Sequence, residues 1–421
     1  MHDGPPANTA RNLAVNGERL WASLMETARF GGTPNGGIKR LALSDEDRQV
    51  RDWLSAQAKS SGYETGIDDL GNMYILRPGT DASRLPVAMG SHLDTQPTGG
   101  KFDGILGVLA GLEVLRSLDD AGIATEAPIC LVNWTNEEGA RFAPGVMGSQ
   151  VFTGDFESGF ALSRTDADGI SVADALDAIG YRGIERCGER RFGAMLELHI
   201  EQGPVLEAEH ETIGVVVGAK GQIWFNGVVT GQESHAGTTP MPLRKDALSA
   251  FADFALAVER IATTEAPAGV GTIGVAVVGP GSRNTVPGSV QFSLEFRHSD
   301  KTRLDIMHAH ARDAAKLISQ TRGCDIVLEP IWSKDPVQFS PEIADVIRTS
   351  AADLGLPNRS MISGAGHDAC AVASKAPTAM IFIPCKDGIS HNEAESATPE
   401  DCTAGANVLL RSVLALAGTA T

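Results

Sequence analysis

The feature that most constrains this chain is an apolar run that ends in metal-ligand chemistry. Leu85-Pro86-Val87-Ala88-Met89 gives way abruptly to Gly90-Ser91-His92-Leu93-Asp94-Thr95, as a buried parallel strand does at the carboxyl edge of its sheet. Open α/β sheets bind ligands at that edge. A Gly/Pro-rich loop then leads through Gly99-Gly100-Lys101-Phe102 to Asp103-Gly104, and apolar residues recur at helical spacing from Ile105 to Leu118. Asp103 therefore falls near a helix N-terminus, at the same edge as His92. Imidazole and carboxylate are ligands for zinc or a similar divalent ion, and a ligating His needs its other ring nitrogen held by an acceptor. Asp94 is a candidate for that acceptor. The competing reading is an ordinary strand, loop and helix with a capping Asp.

The pattern repeats along the chain. Two helices are expected first, over Asn12 to Phe30 and Ser44 to Ser61, the second capped at Ser44. A strand pair is expected over Asp68 to Arg77. The apolar run Ile129 to Trp134 then ends in Thr135-Asn136-Glu137-Glu138-Gly139. Adjacent glutamates at a strand end point in different directions, so Glu138 is read as a ligand and Glu137 as a base; the alternative is a solvated acidic pair. The segment from Gly154 to Arg191 reads as loop and helix, with a helical piece at Val172 to Leu176. Another apolar run, Ala194 to Ile200, carries His199 at its end, a third ligand candidate unless it is a satisfied core histidine. From about Gly214 the order becomes strand, helix, strand, strand, helix, strand, a β-α-β-β-α-β unit ending near Trp332. Afterwards the ligand-type motifs return, as Ser363-Gly364-Ala365-Gly366-His367-Asp368 and, beyond the apolar run Thr378 to Pro384, Ser390-His391-Asn392-Glu393. His391 closes the set, and the middle unit reads as an insertion.

Composition narrows the partners. A formal net charge of -18 on 421 residues argues against nucleic acid or an anionic membrane, both of which require a basic face. Six scattered cysteines without a C-x-x-C pair fit a reduced, cytoplasmic protein rather than a disulfide framework. Met1-His2-Asp3-Gly4-Pro5-Pro6 lacks the layout of a signal peptide.

Taken in order, these motifs resemble the amidohydrolase branch of the dinuclear zinc peptidase superfamily, which includes N-carbamoyl-L-amino-acid hydrolase, β-ureidopropionase and allantoate amidohydrolase. The strings GSHLDT, GGKFDG, NEEGARF, HIEQGP, SHAGTTPM, SRNTVPG and GAGHDA carry the resemblance from Gly90 to Glu395. It implies two divalent metal ions per subunit bridged by Asp103, with His92 and His199 on one and Glu138 and His391 on the other, and Glu137 as general base. It further implies that His235 stabilises the oxyanion, and that Arg297 and Asn284 bind a substrate carboxylate. Gln202, Gln222 and Gly364 are weaker substrate-binding candidates, with structural hydrogen bonding an open alternative for the two glutamines. One departure is Glu295, where the family pattern leads us to expect aspartate before Phe296-Arg297. In such enzymes the inserted domains pair into a homodimer in which this histidine reaches the neighbouring subunit's site; the strands Gln222 to Thr230 and Val270 to Val278 are expected to supply edges for that pairing.

The expected fold is thus α/β: a zinc-peptidase-like catalytic domain, residues 1–213 and 335–421, built on a mixed sheet with helices on both faces, plus an inserted ferredoxin-like α+β lid and dimerisation domain, residues 214–334. The expected activity is hydrolysis of the ureido C–N bond of an N-carbamoyl amino acid. Allantoate amidohydrolase is the nearest alternative, then a metallo-aminopeptidase or dipeptidase of the superfamily, and last a metal-free binding protein. Zinc, manganese, cobalt and nickel all accept such ligands.

Overall fold

The apolar runs become the interior of a nine-stranded mixed sheet in a computed structural model that describes residues 13–420. Met1 to Asn12, on which the signal-peptide reading and the start of the first expected helix fell, lie outside the described residues. The strands in chain order are β1 (Glu64–Ile67), β2 (Met73–Arg77), β3 (Val87–His92), β4 (Ile129–Trp134), β5 (Ala194–Ile200) and β6 (Ile213–Ala219), then β7 (Gly221–Thr230), β8 (Ser234–His235), β9 (Val270–Thr272), β10 (Ala276–Gly279), β11 (Thr285–Val286), β12 (Ser289–His298) and β13 (Asp325–Lys334), and finally β14 (Val337–Gln338), β15 (Asn358–Ser363) and β16 (Thr378–Ile383). By contact the chain divides into two compact units. The first holds the residues up to Val217 and from Gln338 onward; the second is Gly218–Val337.

In the first unit the order is β1-β2-β4-β3-β5-β16-β6-β14, with β15 on β6. The four strands β4, β3, β5 and β16 run parallel and β2 and β6 flank them antiparallel. Every residue of the four parallel strands is buried, because both faces are covered, which is why they read as continuous apolar runs. Ala88, Cys130, Val132 and Met195 pack with Phe152 and Val372 on one face. Met89 and Leu131 alternate to the other face, against the helix Ile105–Asp120. That helix is buried along nearly its whole length, since the C-terminal helix Pro399–Ala417 packs over it. The first two helices are Gly17–Thr27 and Asp45–Ser60, the second capped by Ser44 accepting from Asp47 N. Among the described residues no helix is long and apolar enough to cross a membrane.

In the second unit β10-β12-β7-β13 form an antiparallel sheet, with β9 also on β12. The helices Ala247–Thr264 and Lys301–Arg322 cover one face, burying Phe225, Phe254, Phe292, Phe296 and Met307. Three expectations change here. The boundary moves from 214 to Gly218, because β6 belongs to the first sheet. The single strand expected over Val270 to Val278 is two short strands, both laid on β12. And β7 is interior, hydrogen-bonded by β12 on one side and β13 on the other, so it has no free edge to offer a partner; the edges belong to β9 and β10 on one side and β13 on the other.

Candidate metal centre

Strand ends and the turns after them bring five ligand-type side chains of the first unit together. His92 closes β3 and His199 falls near the end of β5, each with about 1% of its surface exposed. Their rings are oriented by the main chain: His92 Nδ1 lies 2.9 Å from Asp94 O and His199 Nδ1 lies 2.9 Å from Ile200 O. An Nδ1–H donated to a carbonyl leaves each Nε2 facing inward. Asp94, the expected acceptor, thus holds the His92 ring, through its carbonyl. The carboxylate, 3.9 Å from Nδ1, does something else: it accepts the backbone N–H groups of Glu137 and Glu138, each at 3.2 Å, and so fixes the turn that carries both glutamates.

Asp103 stands at the centre. Its Oδ1 is 3.1 Å from His199 Nε2 and 3.6 Å from His92 Nε2, and its Oδ2 is 3.4 Å from His391 Nε2. His391 Nε2 is 3.5 Å from Glu138 Oε2. Two ligand groups result, His92-Asp103-His199 and Asp103-Glu138-His391, and they share one carboxylate. Gly104, with φ +68°, is needed beside it: a Cβ there would lie 2.3 Å from the His92 ring. His391 differs from the rest, sitting at φ 53° on a loop with its side chain 49% exposed.

Distance and charge both suit the donor set to a divalent cation. The edge of a tetrahedron with metal–ligand bonds of 2.0–2.1 Å is about 3.3 Å, and the Nε2-to-carboxylate separations above bracket that value. Charge points the same way. Burial, then Asp103, pushes Glu138 up to about 8, and burial, then Asp368 and the neighbouring carboxylates, pushes Glu137 well above the usual range. Burial lowers His92 to about 4. Against burial, the hydrogen bond and charge of Asp103 raise His199 to about 9; for His391 the bond to Asp103 is the leading cause of a rise to about 9. Asp103 itself is held well below the carboxylate range by the histidines, although burial opposes this. Buried carboxylates that crowd one another and draw protons onto His199 and His391 are a cluster that calls for positive charge. The residues fit the metals.

Glu137, buried and belonging to neither ligand group, places Oε2 3.6 Å from His92 Nε2. Gln202, for which structural hydrogen bonding is the alternative to substrate contact, donates its Nε2 to Asp103 Oδ2 at 2.8 Å. Several participants carried no assigned role in the sequence reading. Gln96 holds Glu138 through its Nε2 at 2.8 Å. His367 packs edge-on to His199 with ring centroids 4.6 Å apart. Glu197 is fully buried and accepts from Ser91 Oγ at 2.6 Å and Ala369 N at 2.8 Å. Gly364 lies exposed in the loop that follows β15.

The second unit holds the remaining candidates. His235, on β8, is exposed, and its Nδ1 accepts from Gly237 N at 3.0 Å and Thr238 N at 3.2 Å; in the neutral ring the proton must then sit on Nε2. Arg297 forks onto Glu295, Nε to Oε1 at 3.2 Å and Nη2 to Oε2 at 3.0 Å, so the unexpected glutamate is long enough to hold the guanidinium by both prongs. Gln222 is buried on β7 opposite Arg297 in the register, and Asn284 is exposed, accepting from Ser282 Oγ at 2.9 Å.

A carboxylate shared between two ligand groups, with a spare glutamate beside them at the carboxyl edge of a mixed sheet, is the equipment of a metal-dependent hydrolase. Comparison with known proteins gives the family: the chain belongs to peptidase family M20/M25/M40, which it matches over residues 88–415. It is 45% identical over 408 residues, 97% of this chain and 98% of the other, to an N-carbamoyl-L-amino-acid amidohydrolase of Rhizobium meliloti. It superposes with a TM-score of 0.94 on an amidase of the hydantoinase/carbamoylase family from Burkholderia multivorans, at 51% identity, covering 96% of this chain and 98% of that one. A ureidoglycolate hydrolase of Oryza sativa is more distant, at 33% identity over 94% of this chain and 84% of its own.

Proposed function

We propose that this enzyme hydrolyses N-carbamoyl-L-amino acids to the amino acid, carbon dioxide and ammonia, using two divalent cations held by His92, Asp103, His199, Glu138 and His391. The observation that carries the reading is Asp103 facing two ligand groups at once while Glu137 stands free beside them. Similarity along the whole chain supports the carbamoyl amino acid, since the carbamoylase relative is nearer than the ureidoglycolate hydrolase. When bound, the cations supply an acidified water and polarise the ureido carbonyl.

The protein's own residues do the rest. Glu137 takes a proton from the attacking water and returns it to the departing nitrogen, a role open to a buried carboxylate that stands beside the ligands and belongs to neither ligand group. His235 offers its Nε2–H to the oxygen on which negative charge develops. Arg297, with Asn284, grips the substrate carboxylate, and Glu295 presets the guanidinium plane for that grip. Gln202, Gln222 and Gly364 remain substrate contacts by proposal, Gln202 through the face not committed to Asp103. The second unit serves as lid and as the surface of a homodimer in which His235 completes the neighbouring subunit's site. Five of the six cysteines are buried and Cys187 is half-buried, and the chain holds no C-x-x-C pair, which supports a reducing, cytoplasmic location.

The test is ammonia release from the metal-stripped enzyme reloaded with zinc, manganese, cobalt or nickel. Substrates are several N-carbamoyl-L-amino acids, N-carbamoyl-β-alanine and allantoate. Turnover of allantoate alone would overturn the substrate assignment, and full turnover without added metal would overturn the rest.

A further inference from the structure

His391 and Asp103 sit on two loops far apart in sequence, and one carboxylate ties them together. Glu395 has 5% of its surface exposed. Its Oε1 accepts the backbone N–H groups of Phe102 at 3.1 Å and of Asp103 at 3.0 Å, across 292 residues of chain in the second case. Its Oε2 lies 3.0 Å from Ser390 Oγ, the residue before His391, and the same hydroxyl lies 3.0 Å from Asp103 Oδ2. The turn is closed by Glu395 N donating to Asn392 O at 3.0 Å. The opposite loop leaves room for it: a Cβ on Gly100 would lie 2.2 Å from the Glu395 carboxylate.

A loop ligand with a half-exposed ring has no strand to aim it, so its position depends on what anchors its loop. We propose that Glu395 is a positioning residue that holds Asp103 and His391 in register, and thereby sets the affinity for the cation shared by Asp103, Glu138 and His391. This rests on the metal reading above. Glu395 touches no ligand atom of that group other than through Ser390; it acts on the backbone of one ligand and the neighbour of the other. Glu393 anchors the same loop from outside, accepting from Thr33 Oγ1 and from Asn35 Nδ2; inward, Gln202 Nε2 reaches Ser390 Oγ at 3.2 Å and His391 Nε2 at 3.3 Å, and Glu395 is the tie that also holds the Asp103 backbone.

The experiment titrates zinc into metal-stripped full-length protein in competition with a chromophoric chelator. The wild type is compared with Glu395→Ala, Glu395→Gln, Gly100→Ala and the Glu395→Ala/Gly100→Ala double variant, and metal-free melting curves are recorded in parallel. The wild type should take two zinc ions. Glu395→Ala should weaken one of them by about 10–100-fold, the range for partners that orient a ligand. Glu395→Gln keeps an oxygen for the two N–H groups and should lose less. Gly100→Ala should reproduce the loss by displacing an intact Glu395, and the double variant should lose no more than Glu395→Ala alone. Zinc affinity within twofold of wild type in Glu395→Ala, with only the melting temperature lowered, would overturn the proposal. If Glu395→Ala does not fold, unchanged affinity in both Glu395→Gln and Gly100→Ala overturns it equally. A wild type that binds no zinc would instead bring down the metal reading, and this inference with it.

Discussion

Replacing Glu137 by glutamine separates the chemistry from the metal site. The change is nearly isosteric, and the backbone at this position is held by groups the substitution does not touch: Glu137 N donates to Asp94 Oδ1 at 3.2 Å, and Val146 N donates to Glu137 O. Neither ligand group contains Glu137, so metal content measured by mass spectrometry should stay at the wild-type level. Loss of a general acid–base costs about 10²–10⁴ in rate. At about 1.36 kcal/mol per decade this is roughly 3–5 kcal/mol of transition-state stabilisation. Ammonia release should show the loss in kcat, with KM little changed, because the substrate's carboxylate grip lies elsewhere. The variant also removes one of the carboxylates crowded around Asp94, Asp103 and Glu138, so the metal-free protein should melt no earlier than the wild type. Activity within tenfold of wild type at full metal content would refute the assignment, and so would loss of metal.

Asp103→Ala should abolish binding at both ligand groups, since each takes one oxygen of the same carboxylate; a calorimetric titration that still shows two full sites would place the bridge elsewhere. Arg297→Lys keeps the charge but loses the two-pronged grip, so KM for N-carbamoyl amino acids should rise about 10–100-fold, the cost of a charged hydrogen bond, with an unchanged KM counting against the role. Mixing inactive His235→Ala and Glu137→Gln homodimers under conditions of subunit exchange should restore activity if sites are shared, because one site of the mixed dimer then carries no defect. No recovery despite verified exchange would reject the shared site.

Much of this site was legible because its ligands follow strands that announce themselves. Runs such as Val87 to Met89 and Ile129 to Val132 are apolar throughout only because both faces are covered, and the first polar residues after them mark the sheet edge. What escaped the sequence was the work of side chains whose partners come from distant segments. Nothing in Asn392-Glu393-Ala394-Glu395 signals a bond to Asp103 N, and nothing in His92-Leu93-Asp94 signals that the carboxylate serves the Glu137 turn while the carbonyl serves the histidine. The edge-strand expectation for Gln222 to Thr230 failed for a related reason. An alternating strand reads alike at the edge and in the interior, and only the register with β12 and β13 distinguishes them.

The place where the second unit joins the first has a consequence for how such a protein can be built. Phe339 N donates to Val217 O at 3.0 Å, so the chain leaves the nine-stranded sheet and re-enters it at neighbouring positions. Within the second unit, Gln222 and Lys334 are likewise register partners. Each unit therefore closes on itself at the junction, and a hairpin turn of about 2–5 residues would bridge the gap in the first. None of His92, Asp103, Glu138, His199 and His391 lies in residues 218–337, so a gene with a turn in their place would still encode every member of the ligand cluster, and the excised piece already has Gln222 and Lys334 side by side.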